Sequence, residues 1–337
     1  MATKNFLFSR KSNFQLVVAA AFLILASCNT LRTRNDVEND RTKGTKGETS
    51  DSSGAVQPPR YDLPPTPPPP PNIEINSASS PIPAMPKIGL IFGPGGARAY
   101  GHIGFLQNMA RMKVPIYGTV GIEWGAPVAA LLSSKGQVYD VEWQMFKLKD
   151  EDLIKKSLIG SGGRVNEVTT LKDFFQNAFA GQKVEGFKYP FACPAYNIAK
   201  NHVYMMSRGS LDNLMPYCLP YPPVFKPFNR NVSAVRELKM AADFLRSQGA
   251  NYIVLVNVLG KDGGRKSLVK ESESADSVSW SEISSFYSKP QPGIDATIPI
   301  DLDNYLVTDF EKKRAIMQKG AEVSQKPLEA WARKLGF

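Results

Sequence analysis

The 337-residue chain lacks both a long apolar run and the clustered ligands of a metal site. No apolar run reaches the ~20 residues that a membrane-spanning helix requires. There are only two histidines and three cysteines, and no Cys-x-x-Cys pair occurs. We therefore expect no metal and no cofactor. No recognition motif for nucleic acid is present either, so nucleic acid is not an expected partner.

The first 28 residues have the organisation of a secretory signal. Three basic residues precede an apolar stretch from Leu16 to Ala26, and the stretch ends in Leu25-Ala26-Ser27-Cys28. This ending resembles the lipobox of bacterial lipoproteins. The resemblance implies that residues 1–27 are a signal peptide and that Cys28 is lipidated, which gives a stable membrane anchor. Asn29, where inner-membrane lipoproteins tend to carry Asp, favours the outer membrane, with the domain facing the periplasm of the cell envelope.

Residues 28–86 form a segment of biased composition. Nine of the chain's 26 prolines fall between Pro58 and Pro71, and few apolar residues accompany them. Such a segment cannot bury enough apolar surface to offset its ordering entropy, which predicts a tether. A proline-rich ligand for a partner domain is the alternative. The remaining residues, 87–337, hold 32 Lys and Arg against 24 Asp and Glu, so an anionic membrane would attract them.

Residues 87–337 alternate between strand and helix patterns. A buried strand is predicted at 87–92, a helix at 102–112, a strand at 116–121, a helix at 126–132, a helix at 235–246 and a strand at 252–258. This alternation predicts an α/β domain with a mostly parallel sheet covered on both faces. The serine-rich segment 261–289 is predicted to be a surface excursion. Two amphipathic helices, 309–320 and 327–335, are predicted to close the chain.

Two loops between a strand and a helix carry the candidate site. The first contains Gly93, Gly95, Gly96 and Arg98, and it lacks the further glycine of a dinucleotide loop and the Gly-Lys-Ser/Thr of a phosphate loop. Its backbone N–H groups suit an anion or a developing oxyanion. The second, Gly121-Ile122-Glu123-Trp124-Gly125, has the spacing of the Gly-x-Ser-x-Gly nucleophile elbow, with glutamate in place of serine.

The two loops identify a resemblance to the patatin-like phospholipase family, in which a glycine-rich loop ending in arginine precedes a serine elbow. Residues 88–130 resemble the first half of that domain. The likeness continues through the hairpin 190–209 and the segments 217–225, 249–258 and 301–320. The family has a three-layer fold and a Ser-Asp dyad that hydrolyses lipid acyl esters. This resemblance implies that residues 87–337 share that fold and bind a lipid or fatty acyl ligand.

The sequence departs from the family pattern at three positions. Glu123 replaces the serine, and Lys226–Val235 contains neither the dyad aspartate nor its glycines. Ala99 replaces the glycine that follows the loop arginine. No other Gly-x-Ser-x-Gly occurs in the chain. The resemblance therefore implies membership in a serine hydrolase family without an intact catalytic residue, which is the pattern of a pseudoenzyme.

Glu123 has three possible roles. As a nucleophile it would form a mixed anhydride more reactive than the ester, and as a general base it lacks a visible partner. We favour a structural carboxylate that fills the oxyanion site, held by glycine N–H groups and Arg98. The expected function is then binding of lipid or a partner without hydrolysis. An active lipid acyl hydrolase with an unconventional site and a purely structural envelope protein are the alternatives.

The sequence also predicts the roles of four further residues. His102 is expected to be structural, and Trp124 to pack over the mouth of a pocket beside the elbow. Cys193 and Cys218 either pair in an oxidising envelope or remain buried thiols.

Overall fold

The computed structural model describes residues 85–149, 153, 166–260, 268–270, 274–302 and 304–337. The signal peptide, Cys28 and nearly all of the tether lie outside these residues. The strands are β1 (Ile88–Phe92), β2 (Gly118–Gly121), β3 (Phe191–Asn197), β4 (His202–Met206), β5 (Asn231–Ser233), β6 (Tyr252–Asn257) and β7 (Ala296–Pro299). The helices are α1 (Tyr100–Arg111), α2 (Gly125–Lys135), α3 (Val138–Lys147), α4 (Lys172–Phe179), α5 (Leu211–Cys218), α6 (Leu238–Ser247), α7 (Ser274–Ser288) and α8 (Lys313–Lys334). None of these helices is both long and apolar enough to cross a membrane.

The strands form one mixed sheet in the order β4-β3-β2-β1-β6-β7. Strands β3, β2, β1, β6 and β7 are parallel, whereas β4 and β5 pair antiparallel with β3. The first half of β3 pairs with β2, and its second half pairs with β5. The end of β5 therefore lies beside the end of β2. The predicted α/β class with a mostly parallel central sheet is confirmed.

Helices cover both faces of the sheet because β1 alternates its side chains between two apolar clusters. Leu90 and Phe92 join the larger cluster with α1 to α5 and α8. Ile91 joins the second cluster with α6 and α7. Every residue of β1 is fully buried, as expected for a central parallel strand covered on both sides. The arrangement has three layers, helices on sheet on helices.

The second face differs from the prediction for residues 261–289. Among the described residues of that segment, α7 is a helix that buries Trp280, Ile283 and Tyr287 against the sheet. Serine and charge favoured a surface excursion, but the three large side chains recur at helical spacing along one face of α7. The segment completes the second helical layer, and the predicted excursion is wrong there.

The end of the chain is one helix rather than the two that were predicted. Helix α8 continues through Pro327, which lacks the N–H of a normal helical hydrogen bond but leaves the neighbouring turns in place. Its first half crosses α1 at very short range. A Cβ on Gly320 would lie 2.6 Å from the Cα and carbonyl oxygen of Gly101, and a Cβ on Gly104 would overlap the backbone of α8. Asn108 secures the crossing with a 2.7 Å hydrogen bond to the Ala321 carbonyl.

Cys193 of β3 and Cys218 of α5 form a disulfide, with their Cα atoms 5.9 Å apart. Both residues are fully buried. The sequence left open whether these cysteines pair or remain free, and the structure selects the pair. The bond fixes α5 to the strand that joins the parallel and antiparallel parts of the sheet.

The α1–α8 crossing predicts a specific sensitivity to one methyl group. We expect Gly320→Ala to lower the free energy of unfolding by about 1–2 kcal/mol, because the added Cβ forces two backbones apart despite alanine's higher helix propensity. Urea denaturation measures the change. Gly186→Ala is the matched control, since no heavy atom lies within 4 Å of a Cβ at Gly186. Equal stabilities of the two variants would contradict the close crossing.

Candidate functional site

The two loops meet at the carboxyl ends of adjacent strands. β1 leads into the glycine-rich loop and β2 into the elbow. The backbone N–H groups of Gly95 and Gly96 both donate to Oε2 of Glu123, each over 2.9 Å. These two bonds confirm the predicted proximity of the loops. The Glu123 carboxyl group is therefore the direct link between them.

The elbow has the strained geometry that its glycine spacing predicts. Glu123 has a φ of 53°, in the left-handed region that a residue with a Cβ rarely adopts. A Cβ on Gly121 would overlap the backbone of Gly125 and Ala126, and a Cβ on Gly125 would overlap the carbonyl of Phe92. The turn between β2 and α2 can close only with glycine at both positions, so it presents the central side chain to the neighbouring loop.

Ser233 is a site residue that sequence reasoning missed. Its Oγ accepts a 2.8 Å hydrogen bond from the backbone N–H of Glu123, 110 positions away in the chain. Ser233 ends β5 and is buried. It lies in Lys226–Val235, the stretch in which the family resemblance places the dyad aspartate. Its position in that stretch is the available signal, but the family pattern indicates an aspartate there and not a serine.

The Glu123 carboxyl group is fully buried. Burial raises its pKa from 4.5 to about 7, and nearby N–H groups, including those of Gly95 and Gly96, oppose this rise only in part. Its second oxygen, Oε1, has no hydrogen-bond partner among the described residues. Burial outweighs the three backbone N–H groups, those of Gly95, Gly96 and Trp124, that favour the charged form.

Arg98 does not hold the Glu123 carboxylate. Its Nε donates to the carbonyl oxygen of Val258 over 2.8 Å, and one Nη donates to that of Tyr305 over 2.9 Å. The expected contact between Arg98 and Glu123 is therefore corrected, since the guanidinium is directed to backbone carbonyls. Arg98 joins the glycine-rich loop to the segments that follow β6 and β7.

His102 is in the structural position that was expected. Its ring is fully buried, and Nε2 lies 2.9 Å from the Gly93 carbonyl oxygen, which places the proton of the neutral ring on Nε2. Burial lowers the His102 pKa from 6.5 to about 4, and the hydrogen bond to Gly93 partly opposes this change. The neutral ring fixes the first glycine of the loop.

Trp124 is not at a pocket mouth. Its ring is fully buried and packs between Phe225 and Phe310, with ring centroids 5.9 and 4.8 Å away. The expectation of a ring over an open pocket is therefore wrong. The elbow directs Glu123 toward the glycine loop and directs the neighbouring Trp124 into the larger apolar cluster.

The second helical layer closes the site from outside. Tyr287 of α7 packs on the glycine loop, where its Cε1 would lie 3.1 Å from a Cβ on Gly93, and its hydroxyl donates to the Val235 carbonyl. Burial raises the Tyr287 pKa well above 10, and the nearby charge of Glu123 adds to the effect. Three surface cavities lined by described residues lie elsewhere on the domain. In the described ranges, no group of three metal-ligating side chains occurs.

This geometry defines what the site can do chemically. Two convergent N–H donors can stabilise a negative oxygen, but Glu123 already occupies them. The carboxyl group has no hydroxyl, thiol or second carboxylate as a described hydrogen-bond partner. The arrangement binds a carboxyl group of the protein itself and presents no nucleophile–base pair.

The raised pKa predicts a pH-dependent stability. The folded state holds the Glu123 proton more tightly than the unfolded chain, so this stabilisation is present below about pH 4.5 and is lost as the pH rises through about 7. Glu123→Gln removes the charge and keeps an acceptor for Gly95 and Gly96. We expect the unfolding free energy of the variant, relative to wild type, to increase by up to about 3 kcal/mol between pH 5 and pH 8.

Urea titrations at several pH values measure this difference. His102 shifts in the opposite direction, because its lowered pKa destabilises the fold as the pH falls below about 6.5. His102 is present in both proteins, so its effect cancels in the comparison. Parallel pH profiles for wild type and Glu123→Gln would contradict a buried, raised-pKa carboxyl group.

Comparison with known proteins agrees with the likeness of the loops. The family model described as patatin-like phospholipase matches residues 90–237. Similar solved structures include VipD from Legionella pneumophila, at 11% identity over 73% of this chain and 67% of VipD, with a TM-score of 0.37. The type III effector ExoU is 13% identical over 73% of this chain and 53% of its own, also with a TM-score of 0.37. A structure of ExoU from Pseudomonas aeruginosa with SpcU matches similarly, so the chain spans about half of ExoU. The match to the patatin-like phospholipase family model therefore includes both loops and Ser233.

Proposed function

We propose that this chain is a lipid-anchored member of the patatin-like phospholipase family. It binds a lipid or a partner at the cell envelope and does not hydrolyse lipids. The observation that carries the proposal is the pair of hydrogen bonds from Gly95 and Gly96 to Glu123. In the family pattern, this glycine loop faces the substrate oxygen that becomes negative during ester hydrolysis. Here the side chain at the nucleophile position takes those donors.

The second component of the dyad is also replaced. Ser233 accepts a hydrogen bond from the Glu123 backbone and lies in the stretch where the family carries its aspartate. A serine hydroxyl is not a general base at neutral pH, so it cannot replace the missing carboxylate. The serine nucleophile and the aspartate base are therefore both replaced, and the oxyanion donors are occupied by Glu123, so none of the three is available for ester hydrolysis.

The burial of the elbow affects how the domain binds its target. Glu123 and Trp124 are both inaccessible to solvent. An acyl ligand beside the elbow would have to displace well-packed aromatic rings. We infer that binding of lipid or a partner uses the outer surface of the domain. A purely structural envelope role remains the alternative in which that surface binds nothing.

Anchoring at the envelope is supported by two independent features. The sequence Leu25-Ala26-Ser27-Cys28 resembles a lipobox, which implies acylation of Cys28 and export from the cytoplasm. The Cys193–Cys218 disulfide is of the kind that persists in oxidising compartments such as the periplasm. Together they favour a domain attached to the outer membrane and facing the periplasm.

One observation favours a second candidate function, an unconventional hydrolase. A carboxyl group with a pKa of about 7 is suited to general acid–base catalysis near neutral pH. Glu123 would then activate a water that attacks the ester. The complete burial of Glu123 and its hydrogen bonds from Gly95 and Gly96 argue against this function, because a catalytic carboxyl group must contact the water and the ester.

Four proteins distinguish these functions by turnover of fatty esters and phospholipids. Wild type, Glu123→Ala and Glu123→Ser should all show background rates, since none has both nucleophile and base. Glu123→Ser combined with Ser233→Asp restores a dyad and frees the Gly95 and Gly96 donors, but it should also stay at background, because the packed rings beside the elbow still exclude an acyl chain. Circular dichroism verifies that each variant is folded.

Each other outcome contradicts part of the proposal. Wild-type turnover that disappears in Glu123→Ala would make Glu123 catalytic and establish the second candidate. Activity of the folded double variant would show that an acyl chain reaches the elbow, and it would contradict binding at the outer surface.

The anchor is tested separately through Cys28. We expect Cys28→Ala to lose incorporation of a labelled fatty acid and to accumulate as unprocessed or soluble protein, because the acylated residue is absent. Gel mobility and membrane fractionation measure both effects. Ser79→Ala, in the same tether, is the control and should behave as wild type. Full membrane recovery and processing of Cys28→Ala would refute the lipoprotein assignment.

A further inference from the structure

Helix α3 carries an exposed aromatic stripe that the proposed function does not explain. Tyr139 is 71% exposed and Trp143 is 54% exposed, although both are large apolar rings. Their rings stack with centroids 6.5 Å apart at an interplanar angle of 14°. Residues four apart lie on the same side of a helix, so the two rings form one continuous surface.

Cations extend this stripe toward the end of α3. Lys147, one turn beyond Trp143, places its Nζ 5.0 Å from the centre of the Trp143 ring. Arg314, at the start of α8, lies over the ring of Phe146 at 5.9 Å. We call Tyr139, Trp143, Phe146, Lys147 and Arg314 the α3 face. It joins aromatic rings to positive charge over about two helical turns.

We propose that the α3 face is a docking surface for the headgroup region of a membrane that contains anionic phospholipid. Tryptophan and tyrosine favour the membrane interface, where an amphipathic ring has both apolar and hydrated surroundings. Lysine and arginine beside them are attracted to anionic headgroups. The α3 face supplies both kinds of contact on one helix.

The two acidic residues of α3 lie away from its cationic end. Glu142 accepts a 2.9 Å hydrogen bond from Gln107 of α1, so its carboxylate is directed toward α1. Asp140 lies in the first turn of α3, at the opposite end from Lys147. Within the described residues, the cations Lys147 and Arg314 therefore lie at the end of α3 near Trp143, whereas the carboxylates of α3 lie toward α1 and at the opposite end.

A second copy of this chain is the main competing occupant. Two α3 faces brought together would oppose Lys147 and Arg314 with like charges, whereas an anionic lipid surface complements them. The domain as a whole also has more basic than acidic residues. Charge complementarity therefore favours lipid. The inference deepens the proposed envelope role but needs neither acylated Cys28 nor an inactive Glu123.

The test uses the full chain with vesicles of phosphatidylcholine and phosphatidylglycerol in which the acyl chains carry bromine, a contact quencher of tryptophan. Of the four tryptophans, Trp124, Trp280 and Trp331 are buried, so Trp143 reports on the α3 face. We expect bromolipid to quench roughly a quarter of the emission, because one ring of four reaches the interface. High salt should weaken the quenching, since it screens the attraction of Lys147 and Arg314.

Variants separate the α3 face from the rest of the surface. Trp143→Phe should abolish the quenching, which assigns the signal. Tyr139→Ser with Lys147→Ser should reduce it severalfold while Trp143 still reports. Tyr204→Ser is the matched control, because Tyr204 is an exposed aromatic residue on β4, and it should leave the quenching unchanged.

Three outcomes would overturn the inference. If acrylamide in the aqueous phase still quenches Trp143 when vesicles are present, the α3 face does not dock on the membrane. If vesicles shield Trp143 from acrylamide but bromolipid does not quench it, a second copy of the chain covers the α3 face. Equal quenching on vesicles of phosphatidylcholine alone excludes recognition of anionic lipid. The chain is added directly to vesicles, so failure of Cys28 acylation or of the hydrolysis experiment leaves this readout intact.

Discussion

The carboxyl group of Glu123 joins the two loops that define this domain. It accepts hydrogen bonds from Gly95 and Gly96 at the end of β1, while its own backbone N–H donates to Ser233 at the end of β5. Three separate parts of the sheet therefore converge on one residue. A serine in the elbow has a shorter side chain and could not reach both glycine N–H groups in the same way. At the position where the family pattern has serine, this chain therefore has a cross-link between loops.

This cross-link stabilises one arrangement at an electrostatic cost. Burial opposes the charged form of Glu123 more strongly than the loop N–H groups favour it, as its raised pKa indicates. A buried polar group is expensive unless all of its hydrogen-bonding atoms have partners, and Oε1 has none among the described residues. The surroundings fix the backbone of the elbow through the close contacts at Gly121 and Gly125, and the His102 ring fixes the adjacent glycine loop. Those constraints allow an unfavourable φ and an unfavourable burial to coexist at one residue.

Much of the fold was predictable because local patterns coincide with the tertiary structure. The strands at Ile88 and Tyr252 are apolar on both sides, and the two strand–glycine–helix sequences place their loops at one edge of the sheet. Segment α7 was missed because its composition is that of a loop, and only the spacing of Trp280, Ile283 and Tyr287 indicates a buried face. The partner of Arg98 was also missed. Every residue has a backbone carbonyl, so the sequence does not indicate that the Val258 carbonyl accepts from Arg98, whereas a carboxylate partner is visible as a residue type.

The disulfide between Cys193 and Cys218 has a consequence for the chemistry of the whole chain. The sequence has three cysteines, so this bond leaves Cys28 as the remaining thiol. Under the proposed acylation, the mature protein has no free sulfhydryl group, while an unprocessed precursor in which the disulfide has formed has one. A thiol-selective alkylating reagent applied without reductant would then label only precursor molecules. Maturation of this protein is thereby coupled to the complete loss of its thiol reactivity.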